Sequence, residues 1–249
     1  MKVAAIIPAR MASTRFPGKP LAKINGRPMI EHVYRRLLCS NLIDELYVAT
    51  CDDEIATEVM KYEGKVIMTS SSHMRGTDRV AEAAKKIKAD IIINVQGDEP
   101  MVNPIILDKA IAFMKNMKNI RCLNFITPIK DWNSFINKNI VKVVLDRNGK
   151  ILYFSRLPIP NRENQNIKNT FKQIGIYLAY KELLLEYSKW DETPLEKAEK
   201  VDMLRFLENE IQIYAFLSKD MVGVDTPQDL QLVERLLLEE PLYRKIFVS

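Results

Sequence analysis

The sequence predicts an α/β protein built on a mostly parallel, doubly wound sheet with a mixed insertion subregion. Three observations predict it. Strand, loop and helix candidates alternate four times in about the first 100 residues, the pattern that builds parallel sheets. The clearest strand candidates are continuous apolar runs, such as Asp-Ile-Ile-Ile-Asn-Val at 90–95, which suit strands covered on both faces. The densest polar loops, 8–20, 70–79 and 96–100, each follow a strand candidate. Ligands of such sheets bind at the carboxyl ends of the strands, so the three loops are expected to converge.

Taken in order, residues 2–7 are the first buried strand, and the loop 8–20 follows. From Pro28, apolar residues at 29, 30, 33, 37 and 38 recur at helical spacing, with proline suited to a first turn. Residues 45–50 are a second strand, and Asp52 is a candidate N-cap for a helix over 53–62. Residues 65–68 are a third strand, 78–87 a helix and 90–95 the fourth strand. The second half predicts a helix over 105–117, a strand over 121–128 and a hairpin of 141–145 with 151–155. Its turn, Asp146-Arg147-Asn148-Gly149, carries the residues a tight turn needs. Residues 161–172 read as a mobile polar loop. After it come a strand over 171–179, a helix over 195–207, a strand over 211–216 and a last helix over 227–238. The hairpin is expected to be an insertion in the same sheet that covers one side of the site or forms a dimer interface.

Composition excludes several function classes. The chain has 249 residues, 37 Lys+Arg and 32 Asp+Glu, a net charge of +5. That charge is too small and dispersed for nucleic acid. No apolar run is long enough for membrane insertion, and the N-terminus does not read as a signal peptide. Cys39, Cys51 and Cys122 lie far apart, so no zinc ribbon, redox motif or disulfide framework is expected; a cytoplasmic protein is. His32 and His73 are the two histidines, too few for a His-based metal site or triad. The eight glycines form no dinucleotide fingerprint, P-loop or nucleophile elbow.

Three clusters remain. Arg10, Arg15 and Lys19 share one loop after the first strand. Three close cations suit a multiply charged anion, and the loop's amides suit phosphate; the competing reading is a solvated basic loop. Residues 70–79 combine Ser70, Ser71, Ser72, His73, Arg75, Gly76, Thr77, Asp78 and Arg79. They suit a base, ribose or phosphate, with Thr77 or Asp78 also a candidate helix cap. The turn Gln96-Gly97-Asp98-Glu99-Pro100 sets two carboxylates at the end of a buried strand. They are costly there unless a cation pairs with them, and without His or Cys nearby the cation is Mg²⁺. Far down the chain, Gly223-Val224-Asp225-Thr226-Pro227 supplies another carboxylate, with Asp225 or Thr226 also readable as a helix cap. A polycationic loop and a carboxylate turn on one sheet edge imply a metal–polyphosphate site, hence nucleotidyl or phosphoryl transfer.

The segment from Ile6 through Pro8-Ala9-Arg10-Met11-Ala12-Ser13-Thr14-Arg15-Phe16-Pro17-Gly18-Lys19 to Leu21 resembles the opening signature of the 3-deoxy-manno-octulosonate (Kdo) cytidylyltransferases. Residues 94–100, Val141-Lys142-Val143-Val144, Tyr153-Phe154-Ser155-Arg156, Gly175-Ile176-Tyr177 and 223–227 match in the family's order across nearly the whole chain. The resemblance implies a nucleotide-diphospho-sugar-transferase-like fold and the reaction of CTP with Kdo to CMP-Kdo and pyrophosphate, for lipopolysaccharide or surface-glycan synthesis. It implies one domain over 1–249, with 1–128 the nucleotide-binding half and 129–249 the sugar-acid-binding and dimerisation half of a homodimer. Arg10, Arg15, Lys19 and Asp98 are then the catalytic candidates. The nucleotide would meet Pro8, Ala9, Arg10, Arg15, Lys19, Ser72, Gly76, Thr77 and Arg79. Asp98 and Asp225 would ligate Mg²⁺. The sugar acid would meet Gln96, Arg156, Gln173, Tyr177 and Asp202.

Four positions depart from the family's pattern: Cys51 for Asp, Arg75 for Ser, Gln173 for His and Asp202 for Glu. Gln173 and Asp202 fall on the expected sugar side, so 8-amino-Kdo or another 3-deoxy-2-ulosonic acid is an alternative substrate. A sugar-1-phosphate nucleotidyltransferase would lack Arg156 in its Tyr-Phe-Ser-Arg context. A non-catalytic nucleotide-binding module would be expected to lose Lys19, Asp98 or Asp225, and none is lost.

Overall fold

A computed structural model describes residues 1–12, 16–117, 119–162, 166–218 and 221–247. The first half runs β1 (Val3–Pro8), a 3₁₀ turn (Lys19–Leu21), β2 (Lys23–Ile24), β3 (Arg27–Pro28), α1 (Met29–Leu37), β4 (Glu45–Thr50), α2 (Asp53–Lys61), β5 (Val66–Met68), α3 (Gly76–Lys85) and β6 (Ile91–Val95). Then come α4 (Pro104–Asn116), β7 (Cys122–Pro128), α5 (Trp132–Ile136), β8 (Lys142–Leu145), β9 (Ile151–Ser155) and β10 (Phe171–Tyr180). The chain continues through α6 (Lys181–Tyr187), α7 (Pro194–Glu199), α8 (Met203–Glu208), β11 (Ile213–Leu217), α9 (Pro227–Glu239) and α10 (Pro241–Phe247).

Nine strands form the main sheet, in the order β11-β7-β10-β6-β1-β4-β5, with β8 paired to β10 and β9. The β6-β1-β4-β5 block is parallel, as is β11 with β7. The mostly parallel expectation holds, and the hairpin β8–β9 does belong to the same sheet. The strand expected over 171–179 is β10, and it runs antiparallel between β6 and β7 in the middle of the sheet, a direction and place the sequence did not mark. Its pairing with β7 shifts register between Gln173 and Tyr177.

Every residue of β1 is buried, which explains its unbroken apolar sequence. Val3, Ala5 and Ile7 face a cluster with Val33 and Leu37 of α1, Val59 of α2 and Ile111 of α4. Ala4 and Ile6 face the opposite cluster, with Val80 and Ala84 of α3, Leu183 of α6 and Phe206 of α8. A third cluster gathers Ile24, Met29, Val224, Val233, Leu237 and Tyr243. It seats α9 and α10 against β2 and α1.

Three local expectations are corrected. The predicted helix over 195–207 is two helices, α7 and α8, and Lys200 between them is left-handed at φ 56°. Glu196 and Arg205 explain the break. Nine residues apart on one continuous helix they would face opposite sides, ~13 Å apart along the axis. Folded back, Glu196 receives both Nε and Nη2 of Arg205 at 2.6 and 2.8 Å. The polar stretch 161–172 is not all loop, because β10 begins at Phe171; residues 163–165 lie outside the described residues. Asp52 stands at the N-cap of α2, yet its carboxylate accepts from the Met11 amide, at 2.8 Å.

Arg36 is fully buried, donating to the Val102 carbonyl at 2.7 Å and to both carboxylate oxygens of Glu240. Glu240→Ala strands that charge and is expected to cost ~2 kcal/mol or more, while Arg36→Met/Glu240→Leu recovers most of the loss. Urea unfolding of the three proteins checks both.

Candidate active site

A backbone bond ties the two described ends of the loop after β1. The Gly18 amide donates to the Met11 carbonyl at 3.1 Å, and Gly18 itself sits at φ 71°, a conformation that costs glycine little. This turn delivers Lys19. Its ammonium lies 2.5 Å from Asp98 and 3.7 Å from Asp225, and donates to the Val224 carbonyl at 2.9 Å. Asp98 comes from the turn after β6 and Asp225 from the turn before α9. Thr226, not Asp225, caps α9: its hydroxyl and Asp229 form a reciprocal capping box. The Asp225 carboxylate is thereby left to face Lys19.

Glu99, beside Asp98, is buried. One of its oxygens accepts from the Gly175 amide at 3.0 Å, and the other has no partner among the described residues. Burial, and then the Asp98 charge, pushes this carboxyl up to about 8. Gly175 stands at the irregular stretch of β10. A Cβ there would lie 2.9 Å from Gln96 and 3.0 Å from Glu99. Glycine is what lets β10 close on the Gln96–Glu99 turn.

A cleft of about 770 Å³ opens at these strand ends. Arg10, Gly76, Thr77, Gln96 and Asp98 line it, so the three polar loops do converge. Arg156, Gln173, Tyr177, Asp202 and Asp225 line it from the second half of the chain. The hairpin region covers one side, through Asn137, Ile140, Val141 and Arg156. The Arg156 Nε donates to the Glu199 carbonyl at 2.7 Å, and its other nitrogens reach the carbonyls of Lys138, Asn139 and Lys200. Carbonyls fix a guanidinium without cancelling its charge. Asp202 accepts from the Thr77 amide at 3.1 Å, satisfying a donor at the start of α3. Burial raises its carboxyl, and Arg75 acts against that rise. Arg75 itself is paired with Glu192 at 2.6 Å.

Other expected residues lie outside the lining. Pro8 and Ala9 are buried at the end of β1, and Lys19, though not itself part of the lining, contacts the two lining aspartates. Ser72 is exposed and bonded to Ser70. Arg79 is buried and turned inward, onto Thr69, the Ser70 carbonyl and the Cys51 sulfur. Arg15 lies outside the described residues. The sequence reading missed Asn94 and Asn124, which are buried, line the cleft and flank Tyr177 in register on β6 and β7. An Asn inside an apolar strand was the available signal. Lys172 lines the cleft from β10 with no such signal.

Glu99→Gln keeps an acceptor for Gly175 and is expected to stay within ~1 kcal/mol of the parent, whereas Glu99→Ala loses ~1–3 kcal/mol through the orphaned amide. A carboxyl raised from 4.5 to about 8 stabilises the fold fully below 4.5 and loses that contribution as pH rises toward 8. The metal-free parent should therefore lose stability relative to Glu99→Gln across that window, measured by denaturant unfolding.

A sequence profile of the cytidylyltransferases matches residues 4–213. The 3-deoxy-manno-octulosonate cytidylyltransferase of Geobacter metallireducens is 47% identical over 249 aligned residues, covering 95% of this chain and 98% of the relative. A solved CMP:2-keto-3-deoxy-manno-octonic acid synthetase, complexed with CTP, superposes with a TM-score of 0.89 at 38% identity, covering 96% of this chain and 99% of the other. The 4-diphosphocytidyl-2C-methyl-D-erythritol synthase of Anaerococcus prevotii shares the fold, with a TM-score of 0.64 at 16% identity over 95% of this chain and 98% of its own. With two aspartates closing on one cation at the cleft, and with identity of this extent, the chain belongs to the 3-deoxy-manno-octulosonate cytidylyltransferase family.

Proposed function

We propose that this enzyme transfers the cytidylyl group of CTP to Kdo, giving CMP-Kdo and pyrophosphate and so activating the sugar acid for lipopolysaccharide or another surface glycan. The observation that carries this reading is the Lys19 ammonium lodged between Asp98 and Asp225 at the cleft that also holds Arg10 and Arg156. One end of the cleft is thus equipped for a polyphosphate and its cation, and Arg156 for a carboxylate.

In this mechanism the anomeric hydroxyl oxygen of the sugar attacks the α-phosphorus of CTP. The bond from that phosphorus to the β-phosphate oxygen breaks, and pyrophosphate leaves as the hydroxyl proton is lost. Arg10 and Lys19 stabilise charge on the triphosphate, joined by Arg15 on the same loop. Arg156 holds the sugar carboxylate, and Gln96, Gln173, Tyr177 and Asp202 surround the sugar. Mg²⁺ fits the residues present. Asp98 and Asp225 are hard oxygen donors converging on one cation position, which Lys19 now fills. No group of three His, Cys, Asp or Glu side chains suited to a metal occurs among the described residues, in keeping with an ion that takes its other ligands from water and phosphate. Bound there, the ion supplies charge neutralisation on the phosphates.

A sugar acid altered at its tail is the second reading, because both departures on the sugar side, Gln173 and Asp202, line the cleft. No described helix is long and apolar enough to cross a membrane.

The test is pyrophosphate release from each nucleoside triphosphate against Kdo, 8-amino-Kdo and other 3-deoxy-2-ulosonic acids. CTP with Kdo should be the best pair; a preference for 8-amino-Kdo that Gln173→His/Asp202→Glu reverses would favour the second reading. Asp98→Asn and Lys19→Ala should each lower kcat by ~10²-fold or more, with a smaller effect on CTP affinity. Full turnover of Asp98→Asn in excess chelator would remove the metal from the mechanism.

A further inference from the structure

Lys142 is a fully buried cation that the proposed chemistry does not use. It lies on β8, opposite Ser155 of β9 and Lys172 of β10. Its ammonium donates to three backbone carbonyls: Asn137 at 2.8 Å, Ile140 at 2.7 Å and Arg156 at 2.6 Å. An ammonium has three N–H donors and no acceptor, so each donor here has its own carbonyl. The three carbonyls belong to two segments of the cleft wall, the 137–141 loop and the end of β9. Those segments are joined again from outside, where the Arg156 guanidinium reaches the carbonyls of Lys138 and Asn139.

We propose that Lys142 is a positioning residue for sugar-acid recognition: its ammonium pins the 137–141 loop to the Arg156 backbone and so aims the guanidinium that receives the substrate carboxylate. This rests on the reading of Arg156 as the sugar-acid cation. Lys142 is fully buried and does not line the cleft. A methionine at this position keeps the apolar stem but leaves three buried carbonyls without donors, and the loop relaxes to find others. Arginine does not replace it, since a planar fork cannot address three converging carbonyls.

Proton loss has the same effect as the substitution. Burial lowers the Lys142 ammonium to about 8, aided by Arg156 and opposed by Glu199. Lys172 pairs with Lys142 across the neighbouring strand. A neutral amine has two N–H groups for three carbonyls. The wall therefore loosens as pH rises through that value, although the fold as a whole is relieved of a buried charge.

The experiment is steady-state kinetics of Lys142→Met and the parent with CTP and Kdo, together with direct CTP binding in the absence of Kdo. Lys142→Met should raise KM for Kdo by ~10-fold or more and leave CTP binding unchanged. In the parent, KM for Kdo should climb between about pH 7 and about pH 9 while CTP binding stays flat, and in Lys142→Met the climb should vanish. An unchanged KM for Kdo in a folded Lys142→Met protein, or equal losses for both substrates, would overturn the proposal. If Lys142→Met does not fold, the parent's pH profile decides, and a flat KM for Kdo overturns it. Absence of any Kdo turnover in the parent would instead overturn the reading of the reaction.

Discussion

Asp98, Glu99 and Asp225 meet at the carboxyl ends of the strands, and three negative charges there cannot stand without compensation. The structure meets this demand in two ways. Lys19 places one ammonium against Asp98 and Asp225, while burial pushes the Glu99 carboxyl up to about 8, which favours its neutral form. Much of the surrounding architecture serves these two solutions. The left-handed Gly18 turn delivers Lys19, Thr226 rather than Asp225 caps α9 while the Asp225 carboxylate faces Lys19, and the bare backbone of Gly175 supplies the amide for Glu99.

The antiparallel β10 joins the two halves of the cleft. It pairs with β6, whose end carries Asp98, and with β8, whose Lys142 organises the wall around Arg156. A crossover connection could not place one strand against both so directly. The ion network Asp78–Arg205–Glu196 adds a second tie, from the start of α3 to the helices that carry Asp202. The cleft residues contributed by the two halves of the chain are therefore tied into one frame.

The strands of the parallel block were legible because apolar residues dominate β1, β4 and β6, and scarce glycine made the polar loops stand out. Their convergence followed from the general behaviour of parallel sheets. Strand direction has no such mark: Phe171–Tyr180 reads as a strand, but nothing local says that it runs against its neighbours. The break at Lys200 was hidden because helical spacing continues through it, and only the meeting of Glu196 with Arg205 reveals why the chain turns. Arg79 looked like a phosphate ligand from its company in the loop, whereas its helical phase points it into the protein. The sugar-side residues were legible through family resemblance alone. Asn94 and Asn124 carried a usable signal, polarity inside an apolar strand; Lys142 carried the same one at the edge of a strand, where lysine is unremarkable.

The third apolar cluster has a bearing on where this protein ends as a working unit. The cytidylyltransferase sequence profile runs through residue 213, which encloses Lys19, Asp98 and Arg156, whereas the similarity to whole relatives covers 95% of the chain. Val224, packed with Val233, Leu237 and Tyr243, lies beyond the profile, and so does the aspartate next to Val224. The last two helices are the buttress of one carboxylate and of the carbonyl that steadies Lys19. A boundary drawn at the end of the profile would keep much of the recognisable chemistry and discard the masonry behind it, so the folded unit around the cleft is longer than that profile.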